Sequence, residues 1–186
     1  MSGLIYTSIA SLDGYVADTN GDFSWAAPDE EVHRFVNDHE REVSTYLYGR
    51  GMYDVMVAWE TAGDDEDDQP VIRDFATIWR AADKVVYSTT MSSPRSARTR
   101  AEGQFDPETV RRLVAEADGP VSIGGAHLAA AALRASLVDE VHLLAVPVAV
   151  GGGTRFLPDD LRIGLRLMDQ RQFDSGVVFL RYAVRA

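Results

Sequence analysis

Residues 121–133, VSIGGAHLAAAAL, are the stretch from which the fold is inferred. The stretch starts as a short apolar strand and continues as an alanine-rich helix, with Gly124 and Gly125 between the two. Glycine weakens helices and strands alike, so a pair of glycines indicates that another group approaches the backbone there or that a tight turn is needed. A strand that leads directly into a helix is typical of the parallel sheets of α/β proteins.

The same order of strand, glycine turn and helix occurs elsewhere in the chain. Residues 4–10, LIYTSIA, form a strand-like run before Gly14, and residues 45–49, TYLYG, precede a helical pattern. Near the C-terminus, Asp174-Ser175-Gly176 separates two strand-like runs and indicates a hairpin. The pattern predicts a single-domain α/β fold over residues 1–186, with a mostly parallel central sheet, an antiparallel C-terminal edge and helices on both faces.

Composition limits the classes of function. The chain has 186 residues, no cysteine and a formal net charge of −11. This charge argues against nucleic-acid and anionic-membrane partners, which require concentrated basic side chains. The absence of cysteine excludes disulfides and thiolate chemistry, and no signal peptide or membrane span is apparent in the sequence. We therefore expect a cytoplasmic protein.

Three glycine turns are expected to lie on one rim of the sheet, because parallel strands end at the same edge. They contain Gly14, Gly49 and the pair Gly124–Gly125. Helix N-termini at that edge offer free N–H groups to a phosphate, and glycine lets the phosphate approach. A tight turn explains any one of these glycines alone, whereas the three together favour a nucleotide. The sequence matches neither G-x-G-x-x-G nor the Walker A pattern.

Five segments in register identify a family. SIASLDGYVA, YLYGRGMY, KVVYSTTM, VSIGGAHLAAAAL and DEVHLLAVPVAVGGGTRFL occur in this order over nearly the whole chain. Together they resemble the dihydrofolate reductase-like family, and within it the stand-alone relatives of the C-terminal reductase domain of the bifunctional riboflavin-biosynthesis deaminase/reductase. The resemblance implies a reductase fold that binds NADPH.

The resemblance also implies which residues hold the cofactor. Gly49 and Arg50 match a Gly-Arg turn beside the cofactor phosphates, and Gly124 and Gly125 match a Gly-Gly turn that is commonly joined by a cis peptide. The amides of Ala126, His127 and Leu128 are implied to surround the diphosphate. Ser88 and Thr89 are implied to lie beside the ribose and its 2′-phosphate. The residues implied to line the nicotinamide are Ala10, Asp13, Gly14 and Val16.

The chain departs from the family after Ser88. Relatives often place an arginine there to bind the 2′-phosphate, whereas this chain has Thr89 and Thr90. Arginine binds phosphate in a bidentate manner and contributes more than a hydroxyl group. We therefore expect Arg50 and at least one arginine of the following segment to favour NADPH over NADH. Those arginines are Arg95, Arg98 and Arg100.

Catalytic residues are less well defined by the sequence. Asp13 and Trp25 are the candidates, since both match positions beside the nicotinamide or the substrate pocket; a loop-anchoring aromatic explains Trp25 equally well. The acids of residues 29–31 are explained by the N-terminus of a helix. No metal site is predicted. The acidic residues 63–70 are most simply a solvated loop, with a metal-binding loop as the alternative.

These observations predict an NADPH-dependent reductase that transfers a hydride to a small pterin-, pyrimidine- or imine-like substrate. A non-catalytic dinucleotide-binding regulatory or sensor protein is the main alternative, and a structural dimer with a vestigial site is the weaker one. Long apolar runs near residues 141–150 and 177–184 predict a homodimer, as in relatives. If Gly125 serves the ligand, Gly125→Ala is expected to leave stability nearly unchanged and to weaken NADPH binding about tenfold.

Overall fold

The computed structural model describes residues 3–65 and 67–185. Within these residues lie ten strands, five α-helices and short 3-10 helices at Ser24–Ala26 and Val57–Glu60. The strands are β1 (Leu4–Ser11), β2 (Tyr15–Ala17), β3 (Thr45–Gly49), β4 (Asp83–Tyr87), β5 (Thr99–Glu102), β6 (Val121–Gly124), β7 (Glu140–Val146), β8 (Thr154–Arg155), β9 (Gly164–Gln172) and β10 (Val178–Arg185). The helices are α1 (Glu30–Glu40), α2 (Arg50–Met56), α3 (Pro70–Ala81), α4 (Pro107–Glu116) and α5 (Ala126–Arg134).

Eight strands form one sheet in the order β5-β4-β3-β6-β1-β7-β10-β9. The six strands from β5 to β7 are mutually parallel, and β10 and β9 add an antiparallel edge. Strands β2 and β8 pair separately as a small antiparallel sheet. The predicted α/β fold, with its mostly parallel sheet and antiparallel edge, is confirmed.

Side chains alternate between the two faces of the sheet, and helices cover both faces. On β3, Leu47 packs in a core that includes Val110 of α4 and Ala129 of α5. Its neighbours Tyr46 and Tyr48 pack instead in a core with residues of α2 and α3. Helix α1 packs over β7 and β10 in a third cluster. The period-two alternation of strand side chains therefore places two helices on one face and three on the other.

Local sequence sets the starts of the helices. Asp29 and Asp106 cap α1 and α4 by accepting the backbone N–H groups of Val32 and Thr109, both at hydrogen-bond distance. Pro107 occupies the first turn of α4, where the missing N–H costs nothing. Residues 106–108 thus supply the cap, the proline and an acid in the first turn of α4.

The structure differs from the sequence pattern at the end of β7 and in the segment after β4. Strand β7 ends at Val146 and does not continue to Val150, because Pro147 has no N–H to donate to a neighbouring strand. The arginine-bearing segment after β4 contains the edge strand β5, although its sequence has no strand pattern. The N–H of Lys84 donates to the carbonyl of Arg98 and fixes the parallel register of β4 and β5.

The predicted hairpin near the C-terminus is present between β9 and β10. Phe173 donates to the carbonyl of Val177, and Gly176 lies in the turn with a φ of +86°. Across the described residues, none of the helices is both long and apolar enough to cross a bilayer.

Candidate functional site

The carboxyl ends of four neighbouring strands form one rim of the sheet. Gly49 at the end of β3 lies in register with Tyr87 of β4, and Tyr48 lies in register with Gly124 of β6. Strand β1 is next to β6. Adjacent strands are about 4.8 Å apart, so the rim from β4 to β1 extends about 14 Å. The fold thus brings together the turns that contain Ser88, Gly49, the glycine pair and Asp13, as the sequence predicted.

The protein itself requires the glycine pair. Gly125 has a φ of +92°, in a region that L side chains rarely adopt, and a Cβ on it would lie 3.1 Å from Cβ of Met52. A Cβ on Gly124 would lie 2.7 Å from Cε1 of Tyr48. The implied cis peptide is wrong, because the described residues contain no cis bond. Backbone conformation and packing against β3 and α2 are therefore sufficient to explain both glycines without a ligand.

The first turn of α5 nevertheless fits a phosphate. Gly125 is its N-cap residue and supplies no side-chain cap, in contrast to the aspartates that cap α1 and α4. The first intrahelical bond runs from the N–H of Ala129 to the carbonyl of Gly125. The amides of Ala126, His127 and Leu128 therefore have no acceptor within the helix. The N-terminal end of α5 is a donor cradle of the kind that anions occupy.

The end of β4 forms a turn around Ser88. The Ser88 hydroxyl accepts the N–H groups of Thr90 and Met91, both at 3.2 Å. The N–H of Ser88 donates to the carbonyl of Glu102 on the neighbouring strand. Ser88 is half-buried and shapes the turn, whereas Thr89 is exposed at its tip. Of these two predicted ribose contacts, Thr89 has the freer side chain.

Two of the predicted phosphate-binding arginines meet at one carboxylate. Arg50 Nε lies 2.8 Å from Asp54 Oδ2, and Arg95 Nη2 lies 2.5 Å from Asp54 Oδ1. Asp54 is not among the residues predicted from the sequence, although its position four residues after Arg50 is the spacing of a helical ion pair. Arg95 belongs to a distant segment and is brought to Asp54 only by the tertiary fold.

Arg98 and Arg100 are not part of this group. Arg98 pairs with Asp83 at the start of β4, which is the opposite edge of the sheet from the rim. Arg100 lies within β5 and pairs with Glu102. Of the three arginines after Ser88, only Arg95 therefore remains a candidate for binding the phosphate. The reason is that β5 runs parallel to β4, so the connection from Ser88 has to return to the start of β4 before β5 begins; Arg98 lies at that start and Arg100 within β5.

Asp13 joins two loops at the rim. Its carboxylate accepts the N–H groups of Val150 and Gly151, at 3.1 and 2.7 Å. The hydroxyl of Ser11, followed by these amides, lowers the pKa of the Asp13 carboxyl from its ordinary value. A carboxylate held in this way anchors the segment after β7 and is a poor proton donor near neutral pH.

The other predicted nicotinamide contacts lie around the same loop. Ala10 is fully buried in β1, and Val16 packs against the core beneath the loop. Gly14 has a φ of +88°, and its carbonyl accepts the N–H of Phe156. Ala10 and Val16 therefore pack in the core next to this loop, and the positive φ of Gly14 allows the loop to turn.

Apolar side chains lie exposed beside Asp13. Leu12 is 73% exposed, and its N–H donates to the carbonyl of Val148, which is itself exposed. Phe23 is also exposed and leads into the 3-10 helix that contains Trp25. Trp25 is half-buried near Ile9, and its indole N–H donates to the carbonyl of Asp22. Trp25 therefore anchors this loop at the apolar end of the rim.

The acids at the start of α1 have structural partners. Asp29 caps the helix, Glu30 pairs with Arg34, and Glu31 pairs with Arg171. Over residues 3–65 and 67–185, no cluster of three or more histidine and acidic side chains is arranged to hold a metal ion.

Comparisons with known proteins place this geometry among related folds. The family model described as the RibD C-terminal domain matches residues 3–179. The uncharacterized protein YyaP of Bacillus subtilis (strain 168) is 26% identical over 181 residues, which cover 96% of this chain and 93% of that protein.

Two solved structures are similar in fold. The chain superimposes on Acinetobacter baumannii RibD with a TM-score of 0.71 and 16% identity, covering all of this chain and 58% of that one. It superimposes on dihydrofolate reductase from Enterococcus faecalis, complexed with NADP(H), with a TM-score of 0.63 and 12% identity, covering 99% and 97% of the two chains.

Proposed function

The chain belongs to the RibD C-terminal domain family, and from this membership we propose that it is an NADPH-dependent reductase. Its substrate is a small heteroaromatic or imine-like molecule of the pterin or pyrimidine class. One observation carries the proposal: along the rim, Arg50 follows β3 with Arg95 joined to it through Asp54, free helix amides follow β6 and an apolar end follows β1, in that order. This order matches the charged and aromatic ends of a nicotinamide dinucleotide.

The free amides of Ala126, His127 and Leu128 would hold the diphosphate, because their N–H groups and the helix dipole favour negative charge. Arg50 and Arg95 would hold the 2′-phosphate as a guanidinium pair. When bound, the cofactor supplies the hydride, and the protein supplies orientation. The three amides have no acceptor within the helix, and the two arginines lie at the protein surface, so a ligand can reach all of these groups.

The apolar end of the rim would receive the nicotinamide and a flat substrate. Leu12, Phe23 and Val148 are exposed there, and apolar walls exclude water from a reacting pair. Asp13 orders this wall by holding the amides that follow Val148. Since Asp13 stays ionised, the proton that accompanies hydride transfer would come from solvent at the open rim.

The test has a binding arm and a turnover arm. NADPH titrated into the protein should change its tryptophan fluorescence, and added dihydropterins or aminopyrimidine imines should then oxidise bound NADPH. Oxidation that depends on one of these substrates supports the reductase. Saturable NADPH binding without turnover over the whole panel would favour the regulatory or sensor alternative. Absence of any dinucleotide binding would contradict both and favour a vestigial site.

A further inference from the structure

One carboxylate on α2 bridges two arginines. Asp54 Oδ2 lies 2.8 Å from Arg50 Nε, and Asp54 Oδ1 lies 2.5 Å from Arg95 Nη2. The three side chains are 40%, 47% and 60% exposed for Asp54, Arg50 and Arg95, so a ligand in solution can reach all of them. The two positive charges exceed the single negative charge, which leaves the cluster able to attract a further anion.

The backbone holds Arg95 in place independently of Asp54. Tyr53 is fully buried, and its hydroxyl accepts the N–H of Arg95 at 2.8 Å. The same hydroxyl contacts Ser96 Oγ at 2.8 Å, and Ser96 Oγ contacts Thr99 Oγ1 at 2.7 Å. Removal of the Asp54 carboxylate therefore leaves the backbone of Arg95 in place and frees both guanidinium groups for another anion.

The cluster reaches the rim through Arg50. Arg50 directly follows β3, and Arg95 belongs to the connection that starts with the Ser88 turn. Strands β3 and β4 are neighbours in the sheet. Arg50 therefore lies at the rim, at the end of β3 and two strands from β1, and Arg95 is joined to it through Asp54.

We propose that Asp54 sets the selectivity of this protein for phosphorylated over unphosphorylated dinucleotide. The inference rests on the proposed function. Asp54 occupies the guanidinium groups that a phosphate monoester would bind, so the 2′-phosphate of NADPH has to displace or share them. A neighbouring carboxylate also repels the dianionic phosphate. The ion cluster thereby keeps the preference for NADPH below the level that two free arginines would give.

The test compares dissociation constants for NADPH and NADH, measured by fluorescence or calorimetry, without a substrate. Asp54→Asn removes the negative charge at nearly constant shape and should tighten NADPH binding about fivefold, while NADH binding changes little. Arg95→Gln should weaken NADPH binding about tenfold and leave NADH unaffected. Because exposed ion pairs contribute little to stability, both variants are expected to fold.

Asp38→Asn is the matched control. It changes the net charge by the same amount, but Asp38 pairs with Arg41 at the far end of α1. It should leave both dissociation constants unchanged. Equal effects of Asp54→Asn on the two nucleotides, or no effect on either, would overturn the role of Asp54 while the reductase proposal stands. Failure of the unmodified protein to bind both nucleotides would overturn the proposed function and, with it, this inference.

Discussion

At position 125, both the backbone conformation and the packing require glycine. Its φ of +92° excludes most side chains, and Met52 lies within 3.1 Å of the position that a Cβ would take. The sequence correctly indicates an unusual backbone at this junction, but it cannot show whether a ligand or the protein imposes it. The neighbours Tyr48 and Met52 come from other elements, and only the assembled fold reveals them.

Gly125→Ala is therefore expected to destabilise the protein, contrary to the sequence-based expectation of nearly unchanged stability. A side chain in this strained region costs about 1–3 kcal/mol of unfolding free energy. Chemical denaturation of the apo-protein measures it. Gly51→Ala is the control, since a Cβ there meets nothing within 4 Å and should stabilise by up to about 1 kcal/mol. An unchanged unfolding free energy for Gly125→Ala would refute the strain.

The buried carboxyl group of Glu40 is expected to make the stability of the protein depend on pH. Glu40 is 8% exposed, and burial raises the pKa of its carboxyl from 4.5 to about 7, an effect that the Tyr46 hydroxyl offsets only in part. Because the folded pKa is raised, the stabilising contribution is complete below pH 4.5 and is lost as the pH rises through 7. The loss amounts to about 3 kcal/mol.

Glu40→Gln removes this ionisation. The unfolding free energy of the variant minus that of the unmodified protein should rise by about 3 kcal/mol between pH 4.5 and pH 8. Urea denaturation across this range measures the difference. Glu108→Gln, at an exposed position on α4, should show no such trend. A difference independent of pH would mean that Glu40 is ionised without penalty.

At the scale of elements, Asp13 joins the β1–β2 connection to the segment after β7. Asp13→Ala removes the acceptor of the Val150 and Gly151 amides, so hydrogen exchange at these two amides should become about tenfold faster. The amides of Phe173 and Gly176 in the β9–β10 hairpin provide the internal control and should not change. Equal exchange before and after the substitution would show that other contacts fix the segment.

The elements differ in how far sequence predicts them. Strand β3 and the capped helices α1 and α4 carry strong local signals, since apolar β-formers, capping aspartates and first-turn prolines act within a few residues. Strand β5 has the sequence TRAE, which has little β-character of its own, and its place at the sheet edge comes from pairing with β4. Tertiary contact overrides local preference there.

The candidate site divides in the same way. The glycine turns are local features, and parallel topology then brings them to one rim, so sequence analysis locates them. The link between Asp54 and Arg95 joins residues 41 apart in the chain and has no local signature. The structural role of Asp13 likewise depends on loops 137 and 138 residues away.

At the scale of the whole molecule, the homodimer remains a prediction, but the reason first given for it is wrong: the apolar runs near residues 141–150 and 177–184 lie in β7 and β10, which are paired on both sides. Edge strand β9 exposes Leu167 and Met168 at 47% and 45%, next to a register shift opposite Arg181 and Tyr182. An exposed apolar edge tends to pair with another chain. Sedimentation at micromolar concentration should show a dimer, and Leu167→Glu should dissociate it. Val55→Glu, at an exposed apolar position on α2, should not. A monomer before any substitution would refute the dimer.

The central position of β1 governs the order in which the molecule can assemble during synthesis. The strand is made well before its partners β6 and β7, which begin at Val121 and Glu140. At ribosomal rates of about 5–20 residues per second, β1 waits for several seconds as an unpaired apolar segment. A fragment that stops before residue 121 should therefore leave β1 open to proteolysis and chaperone binding. Synthesis of β6 and β7 supplies both neighbours and closes the middle of the sheet around a strand that was made long before them.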